Sequence, residues 1–239
     1  MDYSTYLSKA KQNITINKNV QRMLASFQSK NKAGTLTYDD ALRLAEALSK
    51  AGAVELKKIV PLESELGAFA EQFVSPLYET MQRTTLNASK QVQTSLLKRN
   101  GLNLTAADVK EDASRLEHIV QRFKEASEYE EVSFLLGEDV ATNICKSAVH
   151  DTIRQNASSM SSAGFKTKVT RSDGAGCCEW CSSMVGTYEI GKLPENFWGV
   201  HKGCSCSFDY ETKDRYDRVR FTTNSDGSLS KTTESYSKR

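Results

Sequence analysis

The side chains best suited to chemistry lie in two short stretches of the sequence, GAGCCEWCSSMVG at 174–186 and HKGCSCSFDY at 201–210. They hold five of the six cysteines and one of the three histidines of the chain. A C-x2-C pair in the first stretch allows two thiolates to bind one ion from a tight turn, and an H-x2-C-x-C group follows about twenty residues downstream. Two ligand pairs separated by a loop of this length are typical of a four-coordinate structural zinc site.

The two groups offer more donors than a tetrahedral ion has positions. The candidate ligands are Cys178, Cys181, His201, Cys204 and Cys206. We predict that the first three bind a structural Zn²⁺ ion and that either Cys204 or Cys206 completes the site. Thiolate and imidazole donors together match the borderline softness of zinc, which also needs no redox partner.

The remaining cysteines and histidines have simpler interpretations. Cys177 is predicted to be a bystander, because neighbouring side chains do not easily point at the same ion. Cys145 falls on a helical face and is predicted to lie in the core. His118 and His150 are in helical context, where ordinary surface or hydrogen-bonded histidines are the usual finding.

Three other chemistries compete at this cluster. A disulfide is disfavoured in a reducing compartment, and a thioredoxin-like redox pair requires a βαβ surround that the sequence lacks. A Cys–His hydrolase would use Cys181 or Cys204 with His201, but it requires an orienting third group and a cleft, and no motif indicates either. Phosphate-loop, dinucleotide-binding, H-E-x-x-H and Gly-x-Ser-x-Gly motifs are also missing from the sequence. We therefore predict no enzyme, no catalytic residue and no small-molecule substrate.

Composition limits the function classes further. The formal net charge is only +2, which argues against a strongly cationic nucleic-acid binder. The N-terminal segment MDYSTYLSKAKQNITINKNV has no apolar core of a signal peptide. No stretch approaches the roughly 18 apolar residues of a membrane span. We expect a protein made in a reducing compartment, with no membrane partner.

The elements that must position the cluster are mostly helical. Thr37 is predicted to cap a helix, with Asp40 completing a capping box. Two apolar stripes follow at helical spacing. They consist of Leu42, Ala45, Leu48 and Leu56, and of Leu62, Leu66, Phe69, Phe73, Leu77 and Met81. The second stripe predicts a helix that is kinked near Pro76, where a backbone hydrogen bond is lost.

A last predicted helix runs from about Gly137 to Ala163. After it, the sequence pattern changes from helical spacing to the alternation of strands. FKTKVTRS at 165–172 alternates as a strand does, and GTYEIGKL and CSCSFDYET are further candidates for short strands. The change predicts a different, strand-containing end of the chain.

The predicted fold class is mainly α, with three segments. Residues 1–136 form a long helical N-terminal body, and residues 137–212 form a small zinc-stapled α+β module. Residues 213–239 are rich in Ser and Thr and are predicted to be a flexible tail.

In this order of segments the sequence resembles the Mu F-type phage head morphogenesis proteins, the minor capsid or minor head proteins of tailed phages. A helix leads into VTRSDGAGCCEWCSSMVGTYEI, and HKGCSCSFDY follows after a gap. The clear similarity covers roughly residues 140–210. Family members often have proline after the histidine and arginine between the last two cysteines, where this chain has Lys202 and Ser205.

The resemblance implies a virion component present in few copies, in the capsid interior or portal region, that passes through the host cytoplasm during assembly. Its implied partners are portal, scaffold or major capsid proteins. Packaged DNA is a further candidate partner, with which the protein would be ejected.

The alternative function is that of a zinc-containing nucleic-acid-binding protein or a His-metal endonuclease, motivated by His201 beside the C-x2-C pair. A cellular zinc-binding adaptor is the third hypothesis.

Overall fold

The computed structural model describes residues 2–174, 177–201, 206–223 and 229–237, and for 213–223 and 229–237 it describes the backbone only. The chain forms two compact units. One consists mainly of residues 1–152, and the other mainly of residues 153–200 and 204–239. The domain boundary predicted after residue 136 stays a prediction.

The N-terminal unit is built from α-helices, as predicted. They are α1 (Tyr3–Ile16), α2 (Lys18–Ala33), α3 (Tyr38–Leu56), α4 (Leu66–Phe69), α5 (Ser75–Arg99) and α6 (Ala113–Glu125), and α7 (Glu138–Ser162) begins here. Short 3-10 turns occur at Glu63–Glu65, Tyr129–Glu131 and Ser133–Leu136. No helix in the described part of the chain has the length and apolar character needed to cross a membrane.

The capping box predicted at the start of α3 is present. The Thr37 backbone N–H donates to Asp40 Oδ2 at 3.0 Å, and Thr37 Oγ1 donates to the same oxygen at 2.9 Å. Lys30, in the last turn of α2, forms an ion pair with the other oxygen of this carboxylate. Asp40 therefore joins the end of α2 to the beginning of α3.

The apolar stripes predicted from the sequence form the core of this unit. Buried members are Leu42, Ala45, Leu48, Leu56, Leu66, Phe69, Phe73, Leu77 and Met81. Leu62 is the exception: it precedes α4 and is 66% exposed. The ring centroid of Phe69 is 5.6 Å from that of Tyr3, 5.5 Å from that of Phe73 and 5.8 Å from that of Phe123. Aromatic packing thus links α1, α4 and α6.

A π-helical turn lies where the sequence predicts a kink near Pro76. Ala70–Val74 connect α4 to α5, and the Ser75 N–H donates to the Ala70 carbonyl, five residues back. Proline has no N–H, and in a regular helix its ring clashes with the carbonyl four residues back. The widened turn directly before Pro76 accommodates the proline while the helix continues.

The strand predicted at 165–172 is β1 (Phe165–Ser172), which follows α7 after Gly164. Gly164 has a φ of 91°, a conformation that glycine adopts readily. The residues of β1 that are buried are Phe165, Thr167, Val169 and Arg171. This alternation is expected of a strand with one covered face. It also places an arginine on the buried face.

The C-terminal unit contains an antiparallel sheet with the strand order β2-β1-β3-β4. The other strands are β2 (Gly186–Glu189), β3 (Ser207–Thr223) and β4 (Leu229–Ser237), and a short helix, α8 (Glu179–Ser182), lies in the chain between β1 and β2. Arg171 pairs with Gly186 of β2 on one side and with Phe208 of β3 on the other. The prediction of a mainly helical chain with a small α+β end is confirmed.

Composition predicts a flexible tail at 213–239, and the backbone that the structure describes there, at 213–223 and 229–237, is in strands. β3 continues to Thr223, and β4 pairs with it in register from Arg215 opposite Ser237 to Thr223 opposite Leu229. Val, Phe, Tyr and Thr favour strands. The many threonines of this segment therefore fit a hairpin as well as they fit a loop.

Candidate metal centre

The cysteines of the first stretch are positioned by α8. Cys178 is its N-cap residue, and the Cys181 backbone N–H donates to Cys178 Sγ at 3.5 Å. Residues three apart in a helical turn share one side of it, so both thiols lie on the same side. Donation of an N–H to sulfur favours the thiolate form that metals bind.

Two groups of donor atoms converge around α8. The donor atoms of Cys178, Cys181 and His201 all lie within 4.8 Å of one another. The same holds for Cys177, Cys181 and Cys206. Cys181 belongs to both groups, so the five residues form one Cys/His cluster that could hold a metal ion.

One pair of sulfurs in the cluster has the spacing of metal ligands. Cys177 Sγ and Cys206 Sγ are 3.7 Å apart. Two sulfurs bound at about 2.3 Å to one tetrahedral zinc ion are separated by about 3.8 Å. A disulfide requires about 2.05 Å. The pair is therefore close enough to share an ion and too far apart to be bonded.

The centre of the cluster is buried. Cys181 is 0% exposed and Cys206 is 2% exposed. Half-buried Cys177, Cys178 and Val200 pack against them. Cys206 immediately precedes β3, so the sheet fixes its position.

Arg171 reaches the cluster from the buried face of β1. Its Nη2 donates to Cys181 Sγ at 3.1 Å and lies 3.7 Å from Cys206 Sγ. Its Nη1 donates to the Phe197 carbonyl. The arginine is completely buried, so a cationic side chain lies directly behind two of the candidate sulfur ligands.

Aromatic residues of the C-terminal unit pack around one buried ring. Phe197 is 1% exposed. Its centroid is 5.4 Å from that of Tyr188, 5.1 Å from that of Trp198 and 5.6 Å from that of Phe208. The Arg171 guanidinium lies 5.2 Å from the centroid of the Phe208 ring. Aromatic rings therefore pack beside the cluster on the side of Arg171.

The structure brings together four of the five predicted ligands. Cys178, Cys181 and His201 are in one donor group, and Cys206 is with Cys181 in the other. Cys204 lies outside the described residues.

Two residues of the site were not foreseen in the sequence. Cys177, predicted to be a bystander, is a member of the second donor group. Its position directly before Cys178 was the feature of the sequence that could have indicated a second sulfur donor. Arg171 could have been noticed as a charged residue in phase with the apolar positions of an alternating strand.

Cys145, His118 and His150 lie in helices, as their sequence context predicts. Cys145 is fully buried in α7, which confirms the core prediction. Burial raises the pKa of its thiol to about 11, although hydrogen bonds from Ser49 and Thr85 act in the opposite direction. His118 is exposed on α6 and His150 is buried in α7. Neither joins a donor group within the part of the chain that the structure describes.

Comparison of the chain with protein-family models, with curated proteins and with solved structures finds no match.

Proposed function

We propose that this chain is a non-enzymatic structural protein of a tailed-phage particle, a minor capsid or head morphogenesis protein, whose C-terminal module is fixed by a zinc ion. The observation that carries the proposal is the convergence of cysteines from two distant stretches with His201 on one cluster. The cluster lies in the segment whose residue order resembles the phage family.

The proposed ligands are two residues from each stretch. They are Cys178, Cys181, His201 and Cys206. Cys178 is preferred over its neighbour Cys177 because it caps α8 and accepts the Cys181 N–H, which holds both sulfurs of the C-x2-C pair on one side of the turn. We propose Cys206 as the fourth ligand because it is buried and packs against Cys181.

Zinc is the metal that this donor set fits best. Three thiolates and one imidazole suit a borderline-soft ion with tetrahedral geometry. Four protein ligands leave no open position for a substrate or for a reactive water, which supports a structural role. In a small module the free energy of metal binding contributes directly to folding.

The proposed place of action is the capsid interior or the portal region. The N-terminal unit is a set of packed helices whose exposed faces can contact portal, scaffold or major capsid proteins. It also presents apolar side chains to solvent, among them Val54 at 59%, Val60 at 65% and Leu62 at 66% exposure. Packaged DNA is a further proposed contact. We propose the host cytoplasm as the compartment during assembly.

The test is detection of the chain in particles. Particles purified from cells that express it, and treated with protease to remove surface-bound protein, are expected to contain the chain in few copies by quantitative mass spectrometry. Its absence from particles that carry portal and major capsid proteins would overturn the proposal. Magnesium-dependent DNA cleavage that is lost in His201→Ala would overturn it in favour of a nuclease.

A further inference from the structure

Arg171 carries a positive charge that its surroundings must compensate. Among the residues that the structure describes, it is the largest fully buried side chain, with 0% exposure. A guanidinium is charged at every physiological pH. Burying such a charge is strongly unfavourable unless it is paired with an anion and hydrogen-bonded.

The described residues offer it no carboxylate. Its neutral contacts are the Phe197 carbonyl and the sulfur of Met184, which lies 3.8 Å from Nη1. Trp180 and Phe208 add ring contacts at 5.6 Å and 5.2 Å from their centroids. Carbonyl dipoles and ring quadrupoles stabilise a cation but do not neutralise it.

The remaining contacts are the two buried sulfurs. Nη2 lies 3.1 Å from Cys181 Sγ and 3.7 Å from Cys206 Sγ. A thiol is a weak hydrogen-bond acceptor, whereas a metal-bound thiolate carries negative charge. The arginine therefore lies where excess negative charge of a metal–thiolate centre would be located.

We infer that Arg171 is the counter-charge of the metal centre and selects its ligand set. This inference depends on the zinc site proposed above. Three thiolates, one neutral imidazole and a divalent ion carry one net negative charge, which a single guanidinium cancels. Four thiolates would leave one negative charge buried and uncompensated, and two thiolates with two imidazoles would leave the arginine unpaired. Arg171 thus favours three sulfurs and one nitrogen.

A purely structural role for Arg171 makes a different prediction. An arginine that only linked β1 to the Phe197 carbonyl would stabilise the module whatever the charge of the metal site. The experiment must therefore vary the charge of the site and that of residue 171 independently.

The first measurement compares zinc affinities of the wild type, Arg171→Met and Arg171→Lys by competition with a chromophoric chelator. Methionine keeps much of the volume and removes the charge, and lysine keeps the charge. We expect Arg171→Met to bind zinc about 10–100-fold more weakly, the range for loss of a partner that contacts a ligand. Arg171→Lys is expected to recover most of that loss. Equal affinity of the wild type and Arg171→Met, or no recovery in Arg171→Lys, would overturn the inference.

The second measurement repeats the Arg171→Met comparison in a Cys206→His background. There the zinc centre with two thiolates and two imidazoles is neutral, so removal of the arginine should no longer weaken zinc binding and should strengthen it. The same weakening in both backgrounds would show a structural role and would overturn the inference. This comparison decides the question even where Arg171→Met alone fails to fold.

Cobalt substitution gives a spectroscopic readout of the same effect. Loss of a positive charge beside sulfur raises the energy of the sulfur lone pairs, so the sulfur-to-cobalt charge-transfer bands of Arg171→Met are expected at longer wavelength. Unshifted bands would contradict the inference. If the wild type binds no zinc, the proposed function fails; if it binds zinc and the arginine variants bind it equally, only the counter-charge inference fails.

Discussion

The cysteine side chains that the structure describes occupy two kinds of surroundings. Cys145 is enclosed by the apolar core of the helices, where burial raises the pKa of its thiol to about 11 and keeps it neutral. Cys181 is equally buried but has an arginine 3.1 Å from its sulfur. Cys178 accepts a backbone N–H. Sequence spacing distinguishes Cys145 from the cluster and favours Cys178, which forms the C-x2-C pair with Cys181, but it does not show that Cys177 also belongs to a donor group.

We predict that substitutions of the neighbouring residues Cys178 and Cys177 have unequal effects on zinc affinity. Cys178→Ser removes a proposed ligand and is expected to weaken zinc binding by more than about a hundredfold, beyond the effect of losing an outer partner of a ligand. Cys177→Ser, the matched control, is expected to retain the ion. Zinc affinity is the measurement. Tryptophan fluorescence reports on the module, since both tryptophans, Trp180 and Trp198, belong to the C-terminal unit.

The reverse order of affinities would contradict the proposed ligand set. A chain in which Cys177→Ser loses zinc and Cys178→Ser keeps it would have its site in the second donor group. Unchanged far-ultraviolet circular dichroism in both variants would show that the helical unit is intact.

Helices were predictable here where a local signal and a burial pattern agree. The Thr37–Asp40 box marks the start of α3, and Gly164 marks the end of α7. Leu62 matches the spacing of the second stripe but is exposed, because periodicity does not show where a helix begins. The π turn at Ala70–Val74 was not predictable either, since it depends on how the chain relieves the clash of Pro76 within a continuing helix.

Among the elements, the sharpest prediction concerns Asp40. Burial alone raises the pKa of its carboxyl, but hydrogen bonds from Lys30 and Thr37 outweigh this, so the pKa lies below its ordinary value. A lowered native pKa means that the ionised carboxylate stabilises the fold above the unfolded pKa of about 3.9, and that this stabilisation is lost as the pH falls through the lower native pKa. Asp40→Asn is expected to reduce the free energy of unfolding at pH 7 by about 1 kcal/mol.

Urea unfolding as a function of pH measures this effect. The difference between the wild type and Asp40→Asn should shrink as the pH falls below about 4. Asp39→Asn is the control, because Asp39 is in the same turn but pairs with Arg43 at the surface, at 63% exposure, and should change stability by less than about 0.5 kcal/mol. Equal effects of the two substitutions would contradict the role given to Asp40.

The whole molecule combines two units with different sources of stability. The helical unit has a large apolar core, which the helical spacing of its apolar residues predicts. The C-terminal unit has a small sheet whose buried face includes Arg171, and its cysteine cluster joins segments that are about twenty residues apart. The C-x2-C and H-x2-C-x-C spacing was sufficient to predict the cluster. The arginine behind it and the hairpin of β3 and β4 depend on pairing between distant segments, which local pattern does not specify.

We propose that one zinc ion, bound by three sulfurs and one nitrogen and balanced by Arg171, fixes the C-terminal unit. X-ray absorption at the zinc edge, on protein purified without added metal, tests it most directly. We predict about one zinc per chain, with three sulfur neighbours at about 2.3 Å and one nitrogen at about 2.0 Å. A protein without bound metal, or one whose cluster cysteines are joined in disulfides, would contradict the claim.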